Sequence, residues 1–246
     1  MAKKIFKITI LILLILLVTI IGGTYLYVHN KLSKIQQIDI NEEELGVSSE
    51  VEENLANYRN IAIFGIDSRT DTYDKGNRSD CIIIASMNNK TKEVKLVSVY
   101  RDTYVQIEGY GLDKITHAYS YGSAALAINT LNTNFDLNIK EFVTVNFESV
   151  KEIIDSIGGI TMTITAEEVP HITGITQAGT YELTGEQALA YARIRYATGG
   201  DYKRTERMRD VLTAVLEKVK NFDINKLNKL VDTILPEVYT NITASD

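Results

Sequence analysis

Basic side chains crowd one short stretch of a chain that is acidic overall. Between Tyr191 and Asp210 lie Arg193, Arg195, Lys203, Arg204, Arg207 and Arg209, against only Asp201, Glu206 and Asp210, while the formal net charge of the chain is −6. Arginine is the side chain whose planar fork matches phosphate oxygens in pairs, and it does not lose its proton. Two arginines separated by one residue, then a glycine turn, then a helix carrying more arginines could surround one small polyanion. The competing reading is a solvated helix face with scattered charge.

Three further polar segments fall where strands are expected to end. They are Gly65-Ile-Asp67-Ser-Arg69, Asn77-Arg78-Ser-Asp80 and Tyr100-Arg101-Asp102. Ligands of open α/β sheets bind at such loops, although each segment alone could be ordinary strand-end solvation with local Asp–Arg pairs. Together they fit one task. Asp67 and Asp80, with Asp201 as a third candidate, can hold Mg²⁺, a hard ion that favours oxygen ligands and shares them with phosphate. Arg78, Arg101, Arg193, Arg195 and Arg204 can hold the phosphate oxygens. A divalent cation with converging arginines suits phosphoryl transfer, in which positioning and charge stabilisation supply most of the catalysis. The sequence shows no Ser-His or Cys-His nucleophile arrangement, and the lack of a Walker-type glycine loop argues against ATP as substrate.

The elements that must position these groups can be read from hydrophobic patterning. Short apolar runs at Ile61-Ala-Ile-Phe-Gly65, Cys81-Ile-Ile-Ile-Ala85, Val94-Lys-Leu-Val-Ser-Val99 and Phe142-Val-Thr-Val145 predict strands, as does the alternation from Ile160 to Thr165. Helical spacing runs from Tyr119 to Leu131, with Ala125, Ile128 and Leu131 inward. A second helix runs from Phe147 to Ile157, where Gly158-Gly159 is a common stop. Thr184-Gly-Glu-Gln187 is a capping box opening a helix towards Arg193. A long helix follows Asp201, with Val211, Leu212, Val215, Leu216 and Val219 on one stripe. Strands alternating with helices argue for a layered α/β domain.

The chain has 246 residues, 45% of them hydrophobic, enough for one sizeable core plus an appendage. Three histidines and one cysteine cannot build a closed zinc site, and Cys81 reads as a buried small hydrophobe. The acidic balance argues against nucleic acid as a partner. Lys3, Lys4 and Lys7 precede an uncharged run from Ile8 to Val28, long enough to cross a bilayer core of about 20 apolar residues. Residues 1–7 are therefore expected in the cytoplasm, 8–28 in the membrane, and the rest outside. No Ala-x-Ala site follows the run, which favours an uncleaved anchor over a signal peptide. Residues 29–58 are polar and rich in glutamate and read as a stalk holding the domain of residues 59–246 off the membrane.

Several motifs, in order and with compatible spacing, resemble the LytR-CpsA-Psr family. They are Gly65-x-Asp67-x-Arg69, Arg78-Ser-Asp80, Arg101-Asp102-Thr103, Lys114-Ile-Thr-His-Ala-Tyr119, Asp155-x-x-Gly158-Gly159, Leu183-x-Gly185-x-x-Ala188-Leu189-x-Tyr191-Ala-Arg193-x-Arg195 and Gly200-Asp201-x-x-Arg204-x-x-Arg207. The resemblance covers about residues 60–220. It implies a three-layer α-β-α domain around a mixed central sheet, preceded by one transmembrane helix in a Gram-positive envelope. It also implies a Mg²⁺-dependent phosphotransferase that moves an anionic glycopolymer, of wall teichoic acid or capsule type, from an undecaprenyl pyrophosphate carrier to peptidoglycan. Asp67 and Asp80 would ligate the metal. Arg78, Arg101, Arg193, Arg195, Arg204 and Arg207 would bind the pyrophosphate, with Lys114 at the pocket rim. Arg101, Asp80 and Asp201 would form the catalytic set, Asp201 orienting the arginines or acting as base. The lipid chain would occupy an apolar tunnel inside the domain. Rival expectations are a protein that binds or hydrolyses polyprenyl pyrophosphate without transfer, and a transcriptional regulator.

The chain departs from the family pattern in three places. Tyr100 stands where proline usually precedes Arg-Asp, and Met208-Arg209 stands where a glutamine pair usually follows Arg207. The chain stops at Asp246, where members commonly continue, so a shortened C-terminus is expected.

Overall fold

A mixed sheet of six strands forms the centre, in the order β1-β10-β7-β2-β3-β4. The strands are β1 (Gln36–Gln37), β2 (Tyr58–Ile66), β3 (Ser79–Asn88), β4 (Val94–Ser98), β7 (Glu141–Asn146) and β10 (Val238–Thr240). β2 runs parallel to β7 and antiparallel to β3, so the chain enters and leaves the sheet centre through both kinds of pairing. This is a computed structural model, and it describes residues 30–31, 33–68, 73–195 and 200–243. The expected anchor at 8–28 lies outside those residues. Among the described residues no helix is long and apolar enough to cross a membrane.

Successive side chains of a strand point to opposite faces, and here both faces are apolar. Ala62, Phe64, Ile66, Ile82, Ile84 and Phe142 pack on one side, against helix α2 (Thr116–Phe135). Ile63, Cys81 and Ile83 pack on the other side, against α3 (Phe147–Ser156), α4 (Gly185–Ala192) and α5 (Gly200–Val219). Burying both faces explains why these strands read as near-continuous apolar runs. Burial also pushes the Cys81 thiol up to about 12, so it behaves as the inert hydrophobe expected from sequence.

The expected strand at 160–165 forms, as β8 (Ile160–Ile164), but it stands outside the central sheet. It pairs with β9 (Gly179–Leu183) in a separate ribbon. A second ribbon, β5 (Tyr104–Ile107) with β6 (Gly111–Lys114), had no sequence expectation. The capping box is present as read: the Gln187 amide donates to Thr184 Oγ1 at 3.3 Å, and the Thr184 amide donates to Gln187 Oε1 at 3.1 Å. The Gly185 amide donates to Asp155 Oδ1 at 2.7 Å, tying α4 to the end of α3. A Cβ on Gly185 would stand 2.1 Å from the Lys151 carbonyl oxygen, so only glycine permits this approach. Asp155 and Gly185 therefore serve helix packing rather than chemistry.

The described residues between 33 and 58 pack onto the domain, where a stalk was expected. Strand β1 joins the central sheet beside β10, and Leu45 is fully buried among Phe142 and the residues of α2. Asn132 donates to the Leu45 carbonyl and Asn129 to the Glu44 carbonyl, which fastens the segment to α2. A short helix, α1 (Ser49–Asn54), capped by Ser48, completes the connection to β2. Their glutamates face solvent while the few apolar residues between them enter the core, so the packed domain begins near residue 30.

Candidate active site

The sheet brings the carboxylates together at one end. Gly65 pairs with Cys81, but the next residue, Ile66, pairs with Ser79, so Asp80 is an extra residue in β3. Such a bulge bends the strand and re-aims a side chain. Asp67 follows Ile66 directly, which places both acids at the same end of the β2–β3 pair.

Asp80 is clasped between two guanidinium groups. Its Oδ1 accepts a short hydrogen bond from Arg101 Nη1, and its Oδ2 accepts from Arg204 Nη2 at 2.7 Å. The Arg204 side chain is only 4% exposed, against 14% for Asp80 and 17% for Arg101. Asp67 Oδ1 accepts from Arg193 Nη2 at 3.2 Å, and the Arg193 guanidinium lies 5.6 Å from the centre of the Phe147 ring. Thus Arg101 and, from a distant part of the chain, Arg193 and Arg204 meet the two acids. Arg78 and Arg195 are exposed and form no ion pair among the described residues. Asp201 lies on the first turn of α5, and its side chain is outside the described ones.

Helix α2 locks this end of the sheet. The Thr116 amide donates to the Arg101 carbonyl at 3.1 Å, and Thr116 Oγ1 donates to the Ser79 carbonyl at 3.0 Å. Lys114, at the end of β6, reaches Asp102 at 2.7 Å and is half exposed, at the margin of the cluster. The hydrogen bond from Lys114 holds the Asp102 carboxyl below the usual carboxylate range, against a smaller opposing effect of burial.

Arg207 does not join the cluster. It is buried, its Nε donates to Glu168 Oε1 at 2.8 Å, and its Nη1 donates to the Ile194 carbonyl at 3.3 Å. Its place is beneath the turn that carries Arg193 and Arg195, which it braces from inside. Burial opposes ionisation of Glu168. The Thr165 amide and Arg207 more than offset that and hold its carboxyl below the usual range. The departures are also located. Met208 is buried in the core, Arg209 donates to Ser98 Oγ at 3.2 Å, and the half-exposed Tyr100 ring meets Tyr202 edge-on at 4.6 Å.

The donors available to a hard cation here are oxygens. Asp67 and Asp80 are joined by Asn146, which pairs with Ile66 across β7 and donates to the Ser68 carbonyl at 3.0 Å. Its Oδ1 is buried without a hydrogen-bond partner among the described residues. Among those residues no group of three or more acidic, His or Cys side chains could hold a metal alone. Two carboxylates and a carbonyl oxygen suit Mg²⁺, which usually takes one or two carboxylates and fills its shell with water and phosphate oxygens. Asn146, Thr116, Phe147 and Glu168 had no sequence expectation as site or bracing residues. An asparagine at a strand end beside a helix start was the only signal, and it is a weak one.

An α/β domain whose sheet end gathers acids and arginines defines a protein built around a multiply charged anion. The sequence matches the LytR_cpsA_psr family over residues 23–246, and the chain belongs to that family. It is 33% identical over 255 residues to an Enterococcus faecalis protein named polyisoprenyl-teichoic acid–peptidoglycan teichoic acid transferase TagU, covering 99% of this chain and 81% of that one. Against other curated relatives the match spans between 50% and 80% of their length. Among solved structures, TagT bound to LI-WTA superposes with a TM-score of 0.66 at 30% identity, over 77% of this chain and 71% of that one. The family protein YwtF (TagT) with bound octaprenyl pyrophosphate lipid superposes at 0.58 and 29% identity, over 73% of each chain.

Proposed function

We propose that this chain transfers an anionic glycopolymer of the teichoic acid class from a polyprenyl pyrophosphate carrier to peptidoglycan, from the outer face of a membrane to which residues 8–28 anchor it. The carrying observation is Asp80 held between Arg101 and Arg204, with Arg193 and Asp67 at the same sheet end. Guanidinium groups fixed before the ligand arrives stabilise phosphate charge without reorganising. The names and ligands of the relatives point to the same lipid-linked substrates.

In the reaction, a peptidoglycan hydroxyl oxygen attacks the phosphorus nearest the polymer's first sugar. A new P–O bond forms, the phosphoanhydride P–O bond breaks, and the bridging oxygen leaves with polyprenyl phosphate. Arg101 and Arg204 reach the non-bridging oxygens from the Asp80 side. Arg193, held by Asp67, would add a third guanidinium, and the exposed Arg195, Arg78 and Lys114 are the further cations proposed to meet the diphosphate charge. Mg²⁺, held by Asp67 and Asp80, would supply further charge neutralisation at the diphosphate. Asp201, at the start of α5, is the proposed base that takes the hydroxyl proton or orients the arginines. The product is a phosphodiester between polymer and glycan.

The test is transfer by the full-length protein from lipid-linked polymer to a glycan acceptor. Polymer–glycan phosphodiester and polyprenyl phosphate should form in equal amounts. Chelating divalent cations should lower the rate at least about 100-fold, and Mg²⁺ should restore it, because a bound cation is worth several kcal/mol of transition-state charge. Free polymer phosphate with no glycan adduct would show hydrolysis instead, and a full rate in chelator would remove the metal.

A further inference from the structure

We infer that the exposed face of helix α6 (Ile224–Ile234) rests on a bilayer surface bearing anionic headgroups, an inference that builds on the anchored topology proposed above. Ile224 is 76% exposed and Val231 37% exposed. Seven residues apart on a helix, they lie on nearly the same face. Leu230 is buried in the core, so the helix is docked by one side and presents the apolar pair outward. Lys226 and Lys229 lie about 140–160° round the helix from this pair, so exposed apolar and basic side chains border the outward side of α6 from opposite margins, both within reach of an interface.

The start of the packed chain crosses this same face. Lys31 Nζ donates to the Asn228 carbonyl at 3.0 Å and pairs with Asp232 at 2.8 Å, and Lys34 reaches Asp232 at 3.1 Å. Asn228 lies between Ile224 and Val231 along the helix. The apolar run ends at Val28, and the intervening chain to Lys31 can span at most about 10 Å when extended. On that topology only residues 29–35 lie between the membrane run and the first strand of the sheet, and α6 is the element that Lys31 and Lys34 bind.

The charge of the segment suits the same surface. Residues 218–234 contain Lys218, Lys220, Lys226 and Lys229 against Asp223 and Asp232, the latter paired with Lys31 and Lys34, in a chain of net charge −6. Lys218 pairs with Glu182 and Lys220 with Glu217, while Lys226 and Lys229 have no ion pair among the described residues. Basic residues this close to a leaflet are attracted to anionic lipid within a Debye length.

The experiment uses the full chain in nanodiscs of phosphatidylglycerol and phosphatidylcholine with brominated acyl chains, which quench a fluorophore on contact. Single labels are placed through Ile224→Cys, Val231→Cys, Val28→Cys and Val94→Cys, the native Cys81 being buried. Val94 is on β4, at the sheet edge opposite β1 and about 24 Å from it by strand spacing, so its label is the control. Labels at 224 and 231 should be quenched to at least half the extent of the label at 28, and the label at 94 should not. Lys226→Glu with Lys229→Glu, or discs of phosphatidylcholine alone, should lower quenching at 224 at least twofold. The inference fails if the labels at 224 and 231 are quenched no more than the one at 94 while the label at 28 is quenched. It also fails if position 224 instead cross-links between copies. An unquenched label at 28 would overturn the anchored topology itself.

Discussion

Replacing Asp80 by alanine should abolish glycopolymer transfer and lower the melting temperature of the protein at the same time. Asp80 is the carboxylate that Arg101 and Arg204 share, and the Arg204 side chain is almost wholly enclosed. Removing one partner of a buried ion pair costs about 3–5 kcal/mol, because the remaining charge loses its compensation. In a domain of this size each kcal/mol shifts the melting temperature by about 2–4 °C, so a fall on the order of 10 °C is expected. Asp80→Asn separates folding from chemistry. It keeps the shape and one acceptor for a guanidinium, so it should melt closer to wild type. It still removes the charge that orders the arginines, so transfer should fall at least about 100-fold, the scale of losing one electrostatic catalytic contact. Thermal melts and initial transfer rates on both variants decide the matter. An Asn variant with wild-type transfer would make Asp80 a structural residue only.

Arg207→Ala should produce the second large effect, and mainly on stability. The Glu168 side chain is 8% exposed and takes its ion pair from Arg207. Without that partner the carboxylate is a buried charge, again an expected loss of about 3–5 kcal/mol. The turn holding Arg193 and Arg195 loses the brace at the Ile194 carbonyl, so ligand affinity should also weaken. The pH dependence follows from the Glu168 carboxyl, which is held below its ordinary 4.5 in the folded protein. A depressed folded value contributes stability that is fully present above the unfolded value and is lost as pH falls through the folded one. Wild type should therefore lose more stability than Glu168→Gln on acidification below about pH 4.5. Equal acid sensitivity of the two proteins would contradict this assignment.

Much of the scaffold is readable from local pattern. β2, β3, β4, β7 and the helices after Phe147, Thr184 and Asp201 follow from apolar runs, glycine stops and one capping box. These signals are local, and so survive in the sequence. What escaped is long-range. Arg207 shares an i, i+3 spacing with Arg204 and so reads as part of the same anion-binding face. Its fate was decided by Glu168, 39 residues away in sequence. The bulge that aims Asp80 arises from the register between two strands, and no pattern within either strand records it. Residues 29–58 read as a stalk because glutamates dominate them, whereas a two-residue strand and one buried leucine suffice to draw the segment into the fold. Composition measures the solvent face of such a segment and misses the few side chains that hold it.

The convergence of Arg101, Arg193 and Arg204 predicts a preference for two linked phosphates over one. The direct measurement is the affinity of the full-length protein in detergent for polyprenyl diphosphate and for polyprenyl monophosphate, by calorimetry. The diphosphate should bind at least about tenfold more tightly, the equivalent of 1.4 kcal/mol. Arg101→Ala and Arg193→Ala should each erase most of that preference while leaving the monophosphate nearly unchanged. Equal affinity for the two lipids, or a preference that survives both substitutions, would mean that these guanidinium groups serve the fold and not the diphosphate.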